Sequence, residues 1–239
     1  MKTYLSFGGG VNSVAMMLLM LDEGWDFEAV FVDHGGDWPE TYEYVKMLQD
    51  KGYEITVLTP SVRTIDGKVF NNIYDYYIYK RCHPVVVSRG CTARWKVRVL
   101  ETYQKTPCFV CIGYDFGEIH RAKLGSTIKN VELRFPLIEA EIDREGCKEL
   151  IVGHGLPVPR KSGCYFCPFQ KATNYKELRA THPELYCKLQ VLENGYRDRR
   201  IEEGKEPIFL KNNVPLSVLV NEDQYEMWEE YKPPCYCGR

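Results

Sequence analysis

Apolar residues fall in short dense runs separated by polar, glycine-bearing gaps. "TYLSF" (3–7) reads as a buried strand, and "VNSVAMMLLMLDEG" (11–24) as a helix with Asn12 as cap and Gly24 as stop. "EAVFVD" (28–33) is a second strand and "YEITVL" (53–58) a third. Between them "WPETYEYVKMLQDKG" (38–52) is a helix with Pro39 in its first turn. Residues 64–79 are aromatic and weakly patterned, and read as irregular. "CTARWKVRVLETYQ" (91–104) has helical spacing through Trp95, Val99 and Tyr103, and "CFVCIG" (108–113) is a fourth strand. "YDFGEIHRAKLG" (114–125) leads into a short helix, "ELRFPLIE" (132–139) is an extended segment broken by Pro136, and Asp143 caps a helix over 144–155. A turn, "KSGCYFCPF" (161–169), precedes helices within 175–200, and the proline-led tail "PPCYCGR" (233–239) is expected to move freely.

Strand, helix, strand, helix and strand follow one another within the first sixty residues. That order specifies an α/β fold with a parallel, Rossmann-like sheet and right-handed crossovers. Such sheets bind ligands at the carboxyl ends of their strands, where the loop after Phe7 and Asp33 both fall.

Composition narrows the class. At 239 residues and 44% hydrophobic, the chain can bury one good core, and a net charge of −2 gives no global signature of nucleic-acid or membrane binding. No apolar run approaches the roughly 20 residues of a membrane span, and the first residues carry no cleavable leader, so a cytoplasmic protein is expected. Ten cysteines in such a chain point to metal or thiol chemistry rather than to disulfides.

The loop "SFGGGVNS" (6–13) sets three glycines between a strand and a helix. Backbone N–H groups at the positive end of a helix dipole suit phosphate, and the hydroxyls of Ser6 and Ser13 can add donors. Neither the Walker pattern nor GxGxxG fits. The stretch instead resembles the PP-loop of the adenine nucleotide α-hydrolase superfamily, which includes ATP pyrophosphatases and the sulfonucleotide reductases. Their S-G-G-x-D-S falls on Gly8, Gly9, Gly10, Val11, Asn12 and Ser13. Gly8 replaces the leading Ser and Asn12 the Asp, which removes a carboxylate that could position Mg²⁺. "VFVDHGGDWPETYEY" is similar to the family's D-T-G…P-E-T segment, with Asp33 facing a ribose or adenine. "RGCTARWKVRVL" resembles the C-C-x-x-R-K-x-x-P-L stretch of adenylylsulfate reductases, with Gly90 in place of the first cysteine, and "GCYFCPF" resembles their later C-x-x-C. The order of the four motifs is more specific than any one of them.

Cys164 and Cys167 place two thiols on one turn, suited to a common metal or cluster, with a redox pair as the alternative. Cys91 and Cys147 are the expected completions, each near the start of a predicted helix flanking the sheet; Cys82 is a weaker fourth candidate. Cys108 and Cys111 alternate with apolar residues and read as core, and Cys187 as structural. Lys80, Arg81, Arg89, Arg94, Lys96 and Arg98 form a basic run without an acidic residue, which suggests an anion-binding wall. Gly113, Asp115, Glu118 and Arg121 follow the fourth strand, where the resemblance places nucleotide contacts; His120 reads as a partner to a phosphate or carboxylate.

The resemblance implies a HUP-type nucleotide-binding domain over 1–155 and a cysteine-bearing helical segment with its tail over 156–239. It implies a 4Fe–4S cluster, with zinc as the alternative, and ATP, adenylylsulfate (APS) or phosphoadenosine phosphosulfate (PAPS), with Mg²⁺ left open. The tail's Cys237-Gly238 is similar to the reductases' E-C-G-x-H, whose cysteine attacks the nucleotide's sulfur. The first expectation is therefore a reductase-like enzyme with Cys237 as nucleophile, Lys96 as a catalytic cation, and thioredoxin or glutaredoxin as partner. The second is an ATP pyrophosphatase that adenylates tRNA, DNA or a small molecule, the one reading with a nucleic-acid partner. The third is a catalytically silent nucleotide-binding accessory protein. A homodimer is left open.

Overall fold

The computed structural model describes residues 1–86, 90–122, 129–211 and 213–221. In chain order it runs β1 (Lys2–Phe7), α1 (Val11–Asp22), β2 (Glu28–Val32), α2 (Pro39–Asp50), β3 (Ile55–Leu58), β4 (Val62–Arg63), β5 (Val69–Phe70) and α3 (Ile73–Lys80). Next come α4 (Gly90–Thr92), a π-helical turn (Ala93–Val97), α5 (Arg98–Tyr103), β6 (Cys108–Ile112), a 3-10 turn (Phe116–Arg121) and β7 (Val131–Arg134). The chain continues through α6 (Pro136–Glu139), α7 (Arg144–Gly153), α8 (Ala172–Thr181), α9 (Pro183–Glu202) and α10 (Leu216–Leu219). Two compact units result: Met1–Pro60 with Lys96–Gly163, and Ser61–Trp95 with Cys164–Arg239. No helix among the described residues is long and apolar enough to cross a membrane.

The first unit is the expected parallel α/β layer. Its five strands run in the order β3-β2-β1-β6-β7, every neighbouring pair parallel. Sequence explains why α1 lies inside: "VAMMLLM" has no polar face, and Val14, Met16, Met17, Leu18 and Met20 are all buried. Each such side chain contributes about 1.5–3 kcal/mol on burial. Cys111 joins the core cluster on the α1 side of β6, and Cys108 joins Tyr4, Val30 and Val110 in a second cluster, so the sheet is covered on both faces.

The structure departs from the expected elements in three places. Asn12 is not the cap of α1: Gly10 is, with its N–H donated to Ser13 Oγ at 3.2 Å and its carbonyl accepting from that hydroxyl at 3.0 Å. Residues 64–79 are not irregular, because β4 and β5 form a small antiparallel pair and α3 follows, capped by Asn72 Oδ1 from Tyr74 and Asp75. The helix over 91–104 is broken by the π-turn, which buries Trp95 and leaves Val97 and Tyr103 outward. Pro136 does end the extended run, as expected, and opens α6.

The second unit is largely helical. His182 precedes Pro183, which separates α8 from α9. Glu193, buried in α9, accepts from the backbone N–H groups of Leu210 and Leu216 at 3.1 and 2.9 Å and thereby holds the segment after α9.

Candidate functional site

Strands β2, β1 and β6 are neighbours, and the strand order reverses at β1/β6, the crevice in which open α/β sheets bind ligands. The loop Gly8–Gly9–Gly10 leaves β1 here, and Gly113 follows β6. Three of these glycines are required by close approach. Gly9 has φ +68°, and a Cβ on it would lie 2.9 Å from Thr41 Cγ2. A Cβ on Gly10 would lie 2.5 Å from Ser162 Oγ, and one on Gly113 would lie 3.2 Å from the backbone of Asn12 and Ser13. Gly8, the position where the PP-loop pattern has Ser, has room, with its nearest neighbour at 3.8 Å. The first turn of α1 leaves N–H groups without intrahelical partners at this spot, a site for a phosphate oxygen. Ser13 spends its hydroxyl on Gly10, and Ser6 lies on β1 just before the loop.

Asn12 is a hub. Its amide Nδ2 donates to Asp115 Oδ2 at 3.0 Å and Glu118 Oε2 at 3.2 Å, while its Oδ1 accepts from Arg144 Nη1 at 2.5 Å. Arg121 pairs with Glu118 and lies over the Tyr114 ring at 4.1 Å. An aspartate at position 12 would face two carboxylates, with Arg144 beside it and Arg121 already paired to Glu118. The amide therefore does here what a cation would otherwise have to do.

At the end of β2, Asp33 Oδ1 accepts from Gly35 N–H at 2.9 Å and folds the loop back. His34 Nδ1 accepts from Gly36 N–H at 3.1 Å, which leaves Nε2 as the protonated nitrogen, 3.5 Å from Asp37 Oδ2. Lys96 Nζ lies 3.7 Å from the same oxygen. Burial lowers the His34 pKa, with Asp37 opposing. The Asp37 carboxylate is fully buried and accepts no hydrogen bond among the described residues. Lys96 thus stands beside the site as the partner of a buried acid.

Sequence reasoning missed Arg160 and Ser162. The Arg160 guanidinium lies 3.5 Å from the Trp38 ring centroid and 3.2 Å from Glu40, and Ser162 covers Gly10. Their only signal was the basic run "PRKSGC" ahead of the C-x-x-C, some 150 residues from the loop they meet. Arg144 was missed in the same way. The proposed basic wall is divided: Lys80 faces Asp66, Arg81 forms a bidentate pair with Glu202, Arg94 donates to Tyr76, and Arg89 lies outside the described residues.

The cysteines separate by environment. Cys147, expected as a metal ligand, lies in α7 against α1 with no exposed surface, and burial pushes its thiol up to about 12. Its sulfur fills core rather than facing an open site, because α7 turns its apolar stripe, Cys147 and Ile151, inward. Cys111 is likewise raised to about 12 by burial. Cys82, Cys91, Cys164 and Cys167 all belong to the second unit and are partly accessible, while Cys187 is exposed on α9. Cys164 and Cys167 sit on a closed turn: Cys167 N–H donates to Cys164 O at 3.1 Å, Gln170 Nε2 to Cys164 O at 2.9 Å, and Tyr175 Oη to Cys167 O at 2.6 Å. Two thiols on one turn, as in Cys164 and Cys167, make an arrangement that suits a shared metal or cluster. Cys235 and Cys237 lie outside the described residues.

Residues 2–104 match the phosphoadenosine phosphosulfate reductase domain, in agreement with the motifs of the glycine loop, Asp33 and Cys91. Among solved structures, the chain is similar to a predicted subunit of tRNA methyltransferase from Methanocaldococcus jannaschii, at 13% identity and a TM-score of 0.38, over 87% of this chain and 91% of that one. No curated protein sequence matches it.

Proposed function

We propose that the first unit binds an adenine nucleotide by its phosphate or phosphosulfate at the glycine loop, and that the chain is a sulfonucleotide reductase-like enzyme. The observation that carries this reading is the crowding at Gly9, Gly10 and Gly113, which leaves bare backbone at the start of α1 where an anion is best held. Arg144, Arg121, Lys96 and Arg160 supply cations around the same strand ends. Asn12, by occupying Asp115 and Glu118, favours binding over Mg²⁺-assisted ATP cleavage.

In this reading Cys237 thiolate attacks the sulfur of bound APS or PAPS. An S–S bond forms as the S–O bond to the phosphate breaks, and the adenosine phosphate leaves with the electron pair. A dithiol of the thioredoxin or glutaredoxin class then releases sulfite, becomes a disulfide, and returns the Cys237 thiol. The chain's own cations hold the departing phosphate. The second unit's thiols would hold a 4Fe–4S cluster, whose contribution is electrostatic.

Thiol-dependent sulfite release from APS and PAPS tests the proposal. The wild-type chain should release sulfite and Cys237→Ser should not. Pyrophosphate from ATP with no sulfite would instead establish the pyrophosphatase reading. Nucleotide binding with neither product would establish the accessory one.

A further inference from the structure

Of the basic run expected from the sequence, Lys80 and Arg94 fall in the second unit, among aromatic side chains. We propose that the β4–β5 hairpin and α3 form a docking face for single-stranded nucleic acid. Such a face is separate from the nucleotide reading of the glycine loop and requires nothing of it.

The hairpin is small and firmly closed. Thr64 N–H donates to Lys68 O at 2.8 Å and Gly67 N–H to Thr64 O at 3.0 Å, with Gly67 at φ +86° completing the turn. The pleat sends Val62 and its partner Phe70 to one face, and Arg63 with Val69 to the other. Val62 is buried, whereas Arg63 and Val69 are exposed. Phe70 carries the hairpin onto α3: its ring meets Tyr79 at 5.2 Å and Tyr76 at 5.8 Å, and Tyr76 meets the buried Trp95 at 5.6 Å. The Tyr79 hydroxyl donates to Asp66 and ties the turn to the helix. At the tip, the Ile65 side chain stands fully exposed on this fixed support.

Cations frame these rings. Lys68 Nζ lies 4.2 Å and Lys80 Nζ 5.3 Å from the centre of the Tyr79 ring, and the Arg94 guanidinium lies 5.5 Å from that of Tyr76. Between Ser61 and Trp95 the acids are Asp66, 3.8 Å from Lys80, and Asp75. Glu202 takes up Arg81 through both Nη atoms, yet Arg63, Lys68, Lys80 and Arg94 still leave the stretch positive in a chain of net charge −2. An anionic occupant is therefore drawn here although the chain as a whole is slightly acidic. A phosphodiester strand fits both halves of the pattern: its charge follows the backbone, while each base offers a π-face to Tyr79 and to the apolar Val69 and Ile65. A small inorganic anion would leave those apolar side chains in water. A lipid surface fits less well, because Ile65 would enter it with the Asp66 carboxylate beside it. A duplex keeps its bases stacked inside, so the single strand is the form that can use the rings.

Fluorescence anisotropy of labelled oligodeoxythymidine and oligouridine, each about 15 nucleotides long, tests this face in the full chain. Wild type should bind at least one of the two, with log K falling by about 0.7 per unit of log salt concentration for each phosphate neutralised. A Lys68→Ala/Lys80→Ala double variant should bind more weakly and lose about 1.4 of that slope. Tyr79→Ala should weaken binding about fivefold or more at an unchanged slope, with circular dichroism confirming that it folds. Ile65→Ser, at a fully exposed position with no packing to lose, should also weaken binding at an unchanged slope. Lys46→Ala, which removes an exposed lysine of the first unit, should bind as wild type does. An excess of APS, offered to the glycine loop, should leave the strand bound. Undiminished binding by the lysine variant, or by Tyr79→Ala and Ile65→Ser together, or displacement of the strand by APS, puts the strand elsewhere and overturns the proposal. Failure of both strands to bind overturns it as well, whether or not phosphatidylserine vesicles bind in their place.

Discussion

At the scale of single residues, Asn12 decides what the glycine loop can do. Its amide donates to Asp115 and Glu118, so Asn12→Asp would set three carboxylates together against two cations, Arg144 at position 12 and Arg121 on Glu118. The variant should lose about 1–3 kcal/mol of stability in chelator, and millimolar Mg²⁺ should restore much of it. Wild-type melting should be indifferent to Mg²⁺; equal melting of the two proteins in chelator would contradict this role. The buried histidines set a separate pH response. Burial lowers the pKa of both His34 and His83, so the unfolded chain takes up protons more readily than the folded one. Their contribution is complete above the unfolded value of about 6.5 and is lost as pH falls below it, at about 1.4 kcal/mol per unit of pKa difference. Urea unfolding at pH 7 and 5.5 should show this fall, and His83→Gln should flatten it. An unchanged slope would refute the assignment.

At the scale of elements, strong periodicity was readable and short polar-capped elements were not. The runs of β1, β2, β3 and β6 and the apolar α1 each announced themselves. Helix α3 did not, because "IYDYYIYK" packs tyrosines on several sides and spans barely two turns. Its signal was Asn72 with Asp75 three residues on, which a reading of hydrophobic spacing passes over. Asn72→Ala should therefore cost about 1 kcal/mol. Chemical denaturation checks this, and a variant matching wild type in stability would show that the cap is dispensable.

At the scale of the molecule, the sheet and its ligand edge were legible because strand, helix and glycine alternate locally. What escaped was whatever the chain brings from far away. Arg144 and Ser162 meet a loop that lies more than 130 residues earlier, and no spacing rule connects them. Cys147 looked like a ligand because its helix flanks the sheet, yet which way a helix turns its stripe is settled by tertiary packing. The account's central claim is that the glycine loop holds the phosphate end of an adenine nucleotide. Isothermal titration of APS into wild type, Gly8→Ala and Gly10→Ala tests it directly, with melting curves to confirm folding. The account predicts saturable binding to wild type, little change for Gly8→Ala, which has room for a methyl group, and a loss of at least about tenfold for Gly10→Ala, worth about 1.4 kcal/mol. Undiminished binding by a folded Gly10→Ala chain, or no binding by the wild type, would contradict it.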